Sequence, residues 1–283
     1  MARPFDPAAL RRLNAPLRAG RGLTQPSGAL MGREPGLDGL RAVAVLLVVL
    51  HHLHLFDVGP SWFEGGFVGV ELMFVVVGYI VTVRLLEEWE RDGRIAVGEA
   101  ILDRLRRQLP LLLVMIVTVA GAASVWRSET LGGLRSDLVP ALFSLSNWRD
   151  IWDHVSTFAF RDPEPLLHHL WPVAVELQWF LLWPIVLLAL LRWARGQVRN
   201  LRFVVLAAAA VSALTMPLVY REFQTFRIDL AHLATFTRLT GLLLGAVLAT
   251  AWTPWRWHGA GRRRLPGLDI AGVVALAAIV ALA

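Results

Sequence analysis

The 283-residue chain has no cysteine, no lysine and only two tyrosines. Without cysteine there is no disulfide, no thiol nucleophile and no thiolate metal site. Charge is scarce as well: Asp, Glu, Lys and Arg make up 18% of residues, against roughly 25% in soluble domains. All 28 basic residues are arginine, and they leave a net charge of +6. Such a balance suits a nucleic-acid partner, but these arginines gather at the ends of hydrophobic segments, where membrane topology accounts for them. No nucleic-acid partner is therefore expected. No G-x-S-x-G stretch occurs, which removes the nucleophile elbow of the serine hydrolases.

What is present is apolar length. Hydrophobic residues make up 56% of the chain. A membrane-spanning helix needs about 20 mostly apolar residues, and six segments approach that: Leu40–Phe56, Phe67–Leu86, Leu109–Trp126, Leu170–Leu191, Phe203–Tyr220 and Leu230–Ala251. A seventh begins near Leu268 and is still apolar at Ala283, so it reads as the start of a span in a chain truncated at its C-terminus. The expected fold is all-α: a polytopic integral membrane helical bundle with six full transmembrane helices and a partial seventh.

Residues 1–36 are rich in Pro, Gly and Arg and have no apolar core, so they are no cleavable signal peptide. They read as a disordered basic tail, in which Leu10, Leu13 and Leu17 have the spacing of a short interfacial helix. Residues 37–283 read as one membrane domain. Arginine is densest in the tail, in the second connection (Arg84, Arg91, Arg94, Arg104, Arg106, Arg107), in the fourth (Arg192, Arg195, Arg199, Arg202) and in the sixth (Arg256, Arg262, Arg263, Arg264). The positive-inside rule then puts the N-terminus in the cytoplasm and the long connection Arg127–His169 outside. Gly241 and Gly245 form a GxxxG pair in the sixth span, a signature of close helix packing.

Ionisable groups at membrane depth are costly and are functional candidates for that reason. Here they are Arg41, His51, His52, His54, Glu71, Glu176, His232 and Arg238. Arg41 and His52 are eleven residues apart, three helical turns plus about 20°, so they share one face and are separated by about 16 Å along the axis. One group stands at the membrane edge and the other deep inside, as a relay between a donor on one side and an acceptor on the other requires. His51 and His54, with Glu71, offer too few ligands for zinc, so no metal is expected.

Four stretches, in order, carry a resemblance. LDGLRAVAVLLVVLHH (37–52) is similar to the first-helix signature of the acyltransferase 3 family, an Arg followed after ten residues by a His, here Arg41 and His52. GVELMFVVVGYI (69–80), RLRRQLP (104–110) and HLWPVAVELQWFLLWP (169–184) resemble the family's next three motifs, and Asn147-Trp148 and Thr237-Arg238 echo weaker ones. Val77, Pro172 and Leu177 stand where the family carries Ser, Ser and Glu, Asp103 stands where Arg is common, and Gly241 where Glu is frequent.

The resemblance implies a membrane-bound O-acyltransferase of the bacterial cytoplasmic membrane that moves an acyl group, commonly acetyl, from cytoplasmic acyl-CoA to a hydroxyl of a cell-envelope carbohydrate or similar acceptor. Its partners are then membrane lipids, acyl-CoA as donor substrate and a carbohydrate or glycolipid acceptor, with no bound cofactor. His52 is the candidate general base or acyl carrier, Arg41 holds the donor or the developing oxyanion, and Glu176 orients a histidine or acceptor hydroxyls. Glu71, His169, Asn147 and Arg238 are candidate substrate-binding residues. Arg104, Arg106 and Arg107 are candidate ligands for the phosphates of the donor. The residues also admit a transporter or flippase for a lipid-linked sugar, in which buried Arg and Glu line a path, and an inactive remnant that has lost the polar family positions.

Overall fold

The computed structural model describes residues 31–32, 34–55, 65–126, 131–153, 155, 166–220, 225–253 and 266–282. The tail with Leu10, Leu13 and Leu17, nearly all of the first connection, and Arg256 and Arg262 to Arg264 lie outside the described residues, as does the side chain of His54. Among the described residues all regular structure is helical.

The helices are α1 (Pro35–Leu55), α2 (Val68–Asp92), α3 (Val97–Trp126), α4 (Leu131–Leu142), α5 (Ser146–Trp152), a 3-10 turn at His168–Leu170, α6 (Trp171–Trp193), α7 (Val198–Val219), α8 (Thr225–Leu233), α9 (Thr235–Ala251) and α10 (Pro266–Leu282). Six stretches are long and apolar enough to cross a membrane: Pro35–Leu53, Val68–Asp92, Val97–Trp126, His168–Trp193, Val198–Val219 and Phe226–Ala251. These are the six expected spans, with different ends. The third begins twelve residues before Leu109, so the basic motif around Arg104 is helical and not part of a connection. The sixth is interrupted at Ala234, between α8 and α9. The connection expected between the third and fourth spans contains α4 and α5.

Local chemistry explains several ends. Pro35 occupies the first position of α1, where its fixed φ fits and its missing N–H costs nothing. Gly93 closes α2 in the left-handed region, at φ +68°, and its N–H donates to the Trp89 carbonyl at 2.9 Å. Glycine takes that conformation without the clash a Cβ would bring. Pro172 lies in the first turn of α6, where no intrahelical donor is lost.

The chain divides into two compact units. One comprises residues 1–94, 191–205 and 244–283, the other residues 95–190 and 206–243. In the first, α1 and α2 approach backbone to backbone. A Cβ on Gly69 would stand 2.4 Å from the Ala44 carbonyl oxygen, and one on Gly66 2.4 Å from that of Leu47 and 2.7 Å from the His51 Cβ. Gly245 repeats this against α2, where a Cβ would meet the Val75 carbonyl oxygen at 2.1 Å. The Tyr79 hydroxyl donates to the Trp252 carbonyl at 2.9 Å, around a core of Val76, Tyr79, Ile80, Val83 and Ala249. Buried Glu87 accepts the Met31 backbone N–H at 2.7 Å, which ties the entry to α1 onto α2.

In the second unit the apolar core joins Leu112 and Ile116 of α3 to Leu134 and Ala141 of α4 and to Leu167. Leu177, on α6, is 1% exposed, so the site of the family's second Glu is part of the apolar packing.

A side chain at position 245 has nowhere to go without moving α2. Gly245→Leu is expected to lower the melting temperature of the detergent-solubilised protein by the equivalent of about 1–3 kcal/mol. Gly272→Leu, where a Cβ meets nothing within 4 Å, is expected to leave it unchanged in the same scanning-fluorimetry measurement.

Candidate active site

In the first unit, Arg41 and His52 occupy one side of α1. Both are partly buried, at the border of the face that carries buried Ala44 and Leu47, while Val45, Leu46, Val49 and Leu53 are exposed. The eleven-residue phase read from the sequence is the one observed. The His52 Nδ1 donates to the Val48 carbonyl at 2.7 Å. That bond selects the tautomer with its proton on Nδ1 and leaves Nε2 as the basic nitrogen. The rings of His51 and His52 meet edge to face at 5.7 Å, and His51 meets Phe67 at 6.2 Å. Contact of α1 at His51 with Gly66 and Phe67 sets the histidine end of α1 beside the start of α2, whose first turn holds Glu71. Arg41 pairs with Asp38 one turn earlier at 3.6 Å, with both side chains about two-fifths exposed.

In the second unit, the interrupted sixth span leaves backbone carbonyls outside regular helix. At membrane depth such groups must be satisfied by protein, and two of the sequence-selected residues do this. Asn147 is fully buried, and its side-chain amide donates to the Leu233 carbonyl and to Thr235 Oγ1, both at 3.0 Å. Arg238, also buried, donates through Nε to the His232 carbonyl and through a terminal nitrogen to His232 Nδ1. Its guanidinium stands 5.2 Å over the Trp171 ring, and Trp171 lies 5.2 Å from the His232 ring.

Asn147 belongs to a closed ring of three side chains. Gln178 donates to its Oδ1 at 3.0 Å, and the Thr235 hydroxyl donates to Gln178 Oε1. Gln178 also donates to the Ser144 carbonyl at 2.6 Å. Ser144 itself is held at φ +58°, a left-handed conformation uncommon for a residue with a Cβ. Both amide hydrogens of Asn147 are engaged, so the structure gives it the work of holding α5, α6 and the break together.

Glu176 and Phe180 lie on a different face of α6 from Gln178, and Arg104 from α3 rests on them. Its guanidinium is 3.7 Å from the Phe180 ring centroid and 3.7 Å from Glu176 Oε2. The basic motif is thereby split: Arg104 is drawn inward, whereas Arg106 and Arg107 are exposed. Arg107 pairs with Asp103 at 3.1 Å, so the acid that replaces a common family Arg neutralises its neighbour.

His169 and Glu176 are seven residues apart, which in one continuous α-helix puts them on nearly the same face. The structure interposes the 3-10 turn at residues 168–170 before α6 begins. His169 is exposed, and the adjacent His168 is the buried one. The His168 Nδ1 donates to Asp150 Oδ2 at 3.0 Å. Asp150, His168, Gln178 and Thr235 were not selected from the sequence. Gln178 sits in a quoted motif, and the adjacent histidines were a visible signal, but Asp150 lies 18 residues from its partner.

Burial pushes the Asp150 carboxyl above its ordinary value, against the opposing hydrogen bond from His168. Burial also raises Asp137 on α4, against a hydrogen bond from Ser136. Arg149 lies between Asp137, at 3.9 Å, and Asp153, at 2.6 Å.

Six helices of membrane length carrying buried polar clusters define a polytopic membrane protein. The acyltransferase domain family matches residues 34–283, and the chain belongs to it. Over 245 residues it is 36% identical to the peptidoglycan O-acetyltransferase OatA of Listeria monocytogenes, which covers 86% of this chain and 38% of that protein. Over 249 residues it is 34% identical to the O-acetyltransferase OatA of Staphylococcus aureus, covering 88% of this chain and 40% of that protein. The chain thus spans about two fifths of the length of these curated relatives. No solved structure matches it.

Two outcomes follow from this geometry. Asn147→Ala uncovers the Leu233 carbonyl and is expected to destabilise the protein by about 2 kcal/mol, read as a lower melting temperature. Because Asp137 holds its proton more tightly folded than unfolded, the folded state loses stability as pH rises through the unfolded value toward the raised one. Asp137→Asn is therefore expected to raise the melting temperature at pH 7 and to lose that advantage at pH 4.

Proposed function

We propose that this chain carries the membrane part of an O-acetyltransferase that moves an acetyl group from cytoplasmic acetyl-CoA to a hydroxyl of a cell-envelope saccharide. The membrane is the cytoplasmic membrane of a bacterium, with the N-terminus of the chain in the cytoplasm. Peptidoglycan, named as the substrate of the Listeria relative, is the acceptor proposed first. The observation that carries this reading is the α1 geometry. Arg41 and His52 share a side of the helix, and the Val48 carbonyl holds His52 with its basic nitrogen at Nε2.

A hydroxyl is a weak nucleophile near neutral pH, and histidine is the side chain whose ordinary titration lies closest to it. In the proposed step the acceptor oxygen bonds the thioester carbonyl carbon while its proton passes to His52 Nε2. The C–S bond then breaks, and coenzyme A leaves as a thiolate that takes that proton. Arg41, at the other end of α1 from His52, is the proposed holder of the donor. Arg106 and Arg107, exposed on α3, are the proposed ligands of the donor's phosphates, and the Arg104–Glu176 pair holds α3 to α6. Glu71 and Arg238 keep their proposed roles toward substrate, and Asn147 supports them from the ring it closes.

One observation favours a second reading. A broken helix with a buried Arg at the break is also how transporters build a solute site. Acetyl-CoA separates the two: an acyltransferase is stabilised thermally by it, and a flippase is not.

His52→Ala in membranes is expected to lower acetyl transfer from acetyl-CoA to peptidoglycan about 10²- to 10⁴-fold. Full retention of transfer, measured by mass spectrometry of the acetylated saccharides, removes His52 from the mechanism.

A further inference from the structure

His168, a buried polar side chain of the second unit, has one ring nitrogen engaged and the other not. Its ring is 4% exposed, Nδ1 donates to Asp150, and Nε2 is buried without a hydrogen-bond partner. The carboxylate fixes the tautomer, so Nε2 carries the lone pair and needs a donor. A buried acceptor left without one costs about 1–3 kcal/mol, which makes this atom a candidate for contact with a ligand.

Two features match a saccharide hydroxyl. The carboxylate on Nδ1 raises the electron density at Nε2, as the carboxylate partners of catalytic and metal-bound histidines do, so Nε2 is a strong acceptor for an O–H donor. The adjacent His169 is exposed, and its ring lies 6.0 Å from that of His168. The groups around Asp150 are Arg149 and Asp153 on its own helix and Asp137 on α4. Arg149 pairs with both of those acids and also acts on Asp150, whose carboxylate accepts the hydrogen bond from His168.

We propose that the Asp150–His168 pair is an acceptor-binding site, in which His168 Nε2 receives a hydrogen bond from a hydroxyl of the saccharide and orients it. This rests on the O-acetyltransferase reading above and adds to it the residue that recognises the acceptor.

His168→Asn tests it selectively: asparagine keeps a nitrogen donor at the Nδ1 position for Asp150 and deletes Nε2. The full chain in detergent is assayed for acetyl transfer from acetyl-CoA to soluble peptidoglycan fragments, and for acetyl-CoA hydrolysis without acceptor. Expected is a rise of tenfold or more in the KM for the fragments, with hydrolysis and melting temperature near those of the unsubstituted chain. His168→Gln, which returns an amide oxygen close to the Nε2 position, is expected to recover transfer to within about threefold. Unchanged transfer in H168N overturns the proposal, and so does an equal fall of transfer and hydrolysis in both variants, which marks a structural pair only. Absence of both transfer and hydrolysis in the unsubstituted chain instead overturns the acyltransferase reading itself.

Discussion

Backbone carbonyls at membrane depth have no water to turn to, and the break between α8 and α9 exposes this constraint. The Leu233 carbonyl is taken by Asn147 and the His232 carbonyl by Arg238. Removing either donor leaves a polar group in an apolar medium. Each donor is held in turn: Asn147 by Gln178 and Thr235, and Arg238 by the His232 ring and the face of Trp171. The break, the short helix α5 and the start of α6 are therefore one construction. Side chains that a sequence reading assigns to substrate have, first of all, a backbone to satisfy.

The same logic separates two faces of α6. Gln178 points into the ring at the break, while Glu176 and Phe180 receive Arg104 from α3. A partly buried arginine and glutamate cost less as a pair than apart, and the aromatic ring adds a further contact for the guanidinium. In the other unit the close approach is made by absence of side chain. Gly66 and Gly69 let α1 and α2 touch backbone to backbone, which is how helices pack without a hydrophobic driving force between them. It is this contact that sets the histidines of α1 beside the first turn of α2.

Much of this was legible in one dimension. The six spans follow from apolar length, since only a helix satisfies its own backbone in lipid. The common side of Arg41 and His52 follows from 100° per residue within one uninterrupted helix. Which of two adjacent histidines is buried does not follow from that arithmetic. At the 3-10 turn before α6, His169 is exposed and its neighbour His168 is buried. The extent of α3 was also short in the sequence reading, because arginines at 104, 106 and 107 look like a connection although Arg104 is folded inward against α6.

By itself the sequence determined the helical class, the spans, the order of the family motifs and the phase of α1, because each depends on residues near one another along the chain. Tertiary structure alone decided which polar groups meet. The Asn147–Gln178–Thr235 ring, the Asp150–His168 pair and the Arg104–Glu176 pair join residues from 18 to 88 positions apart. No periodicity encodes such a pairing; it exists because buried polar atoms must find partners wherever the packing of helices brings them.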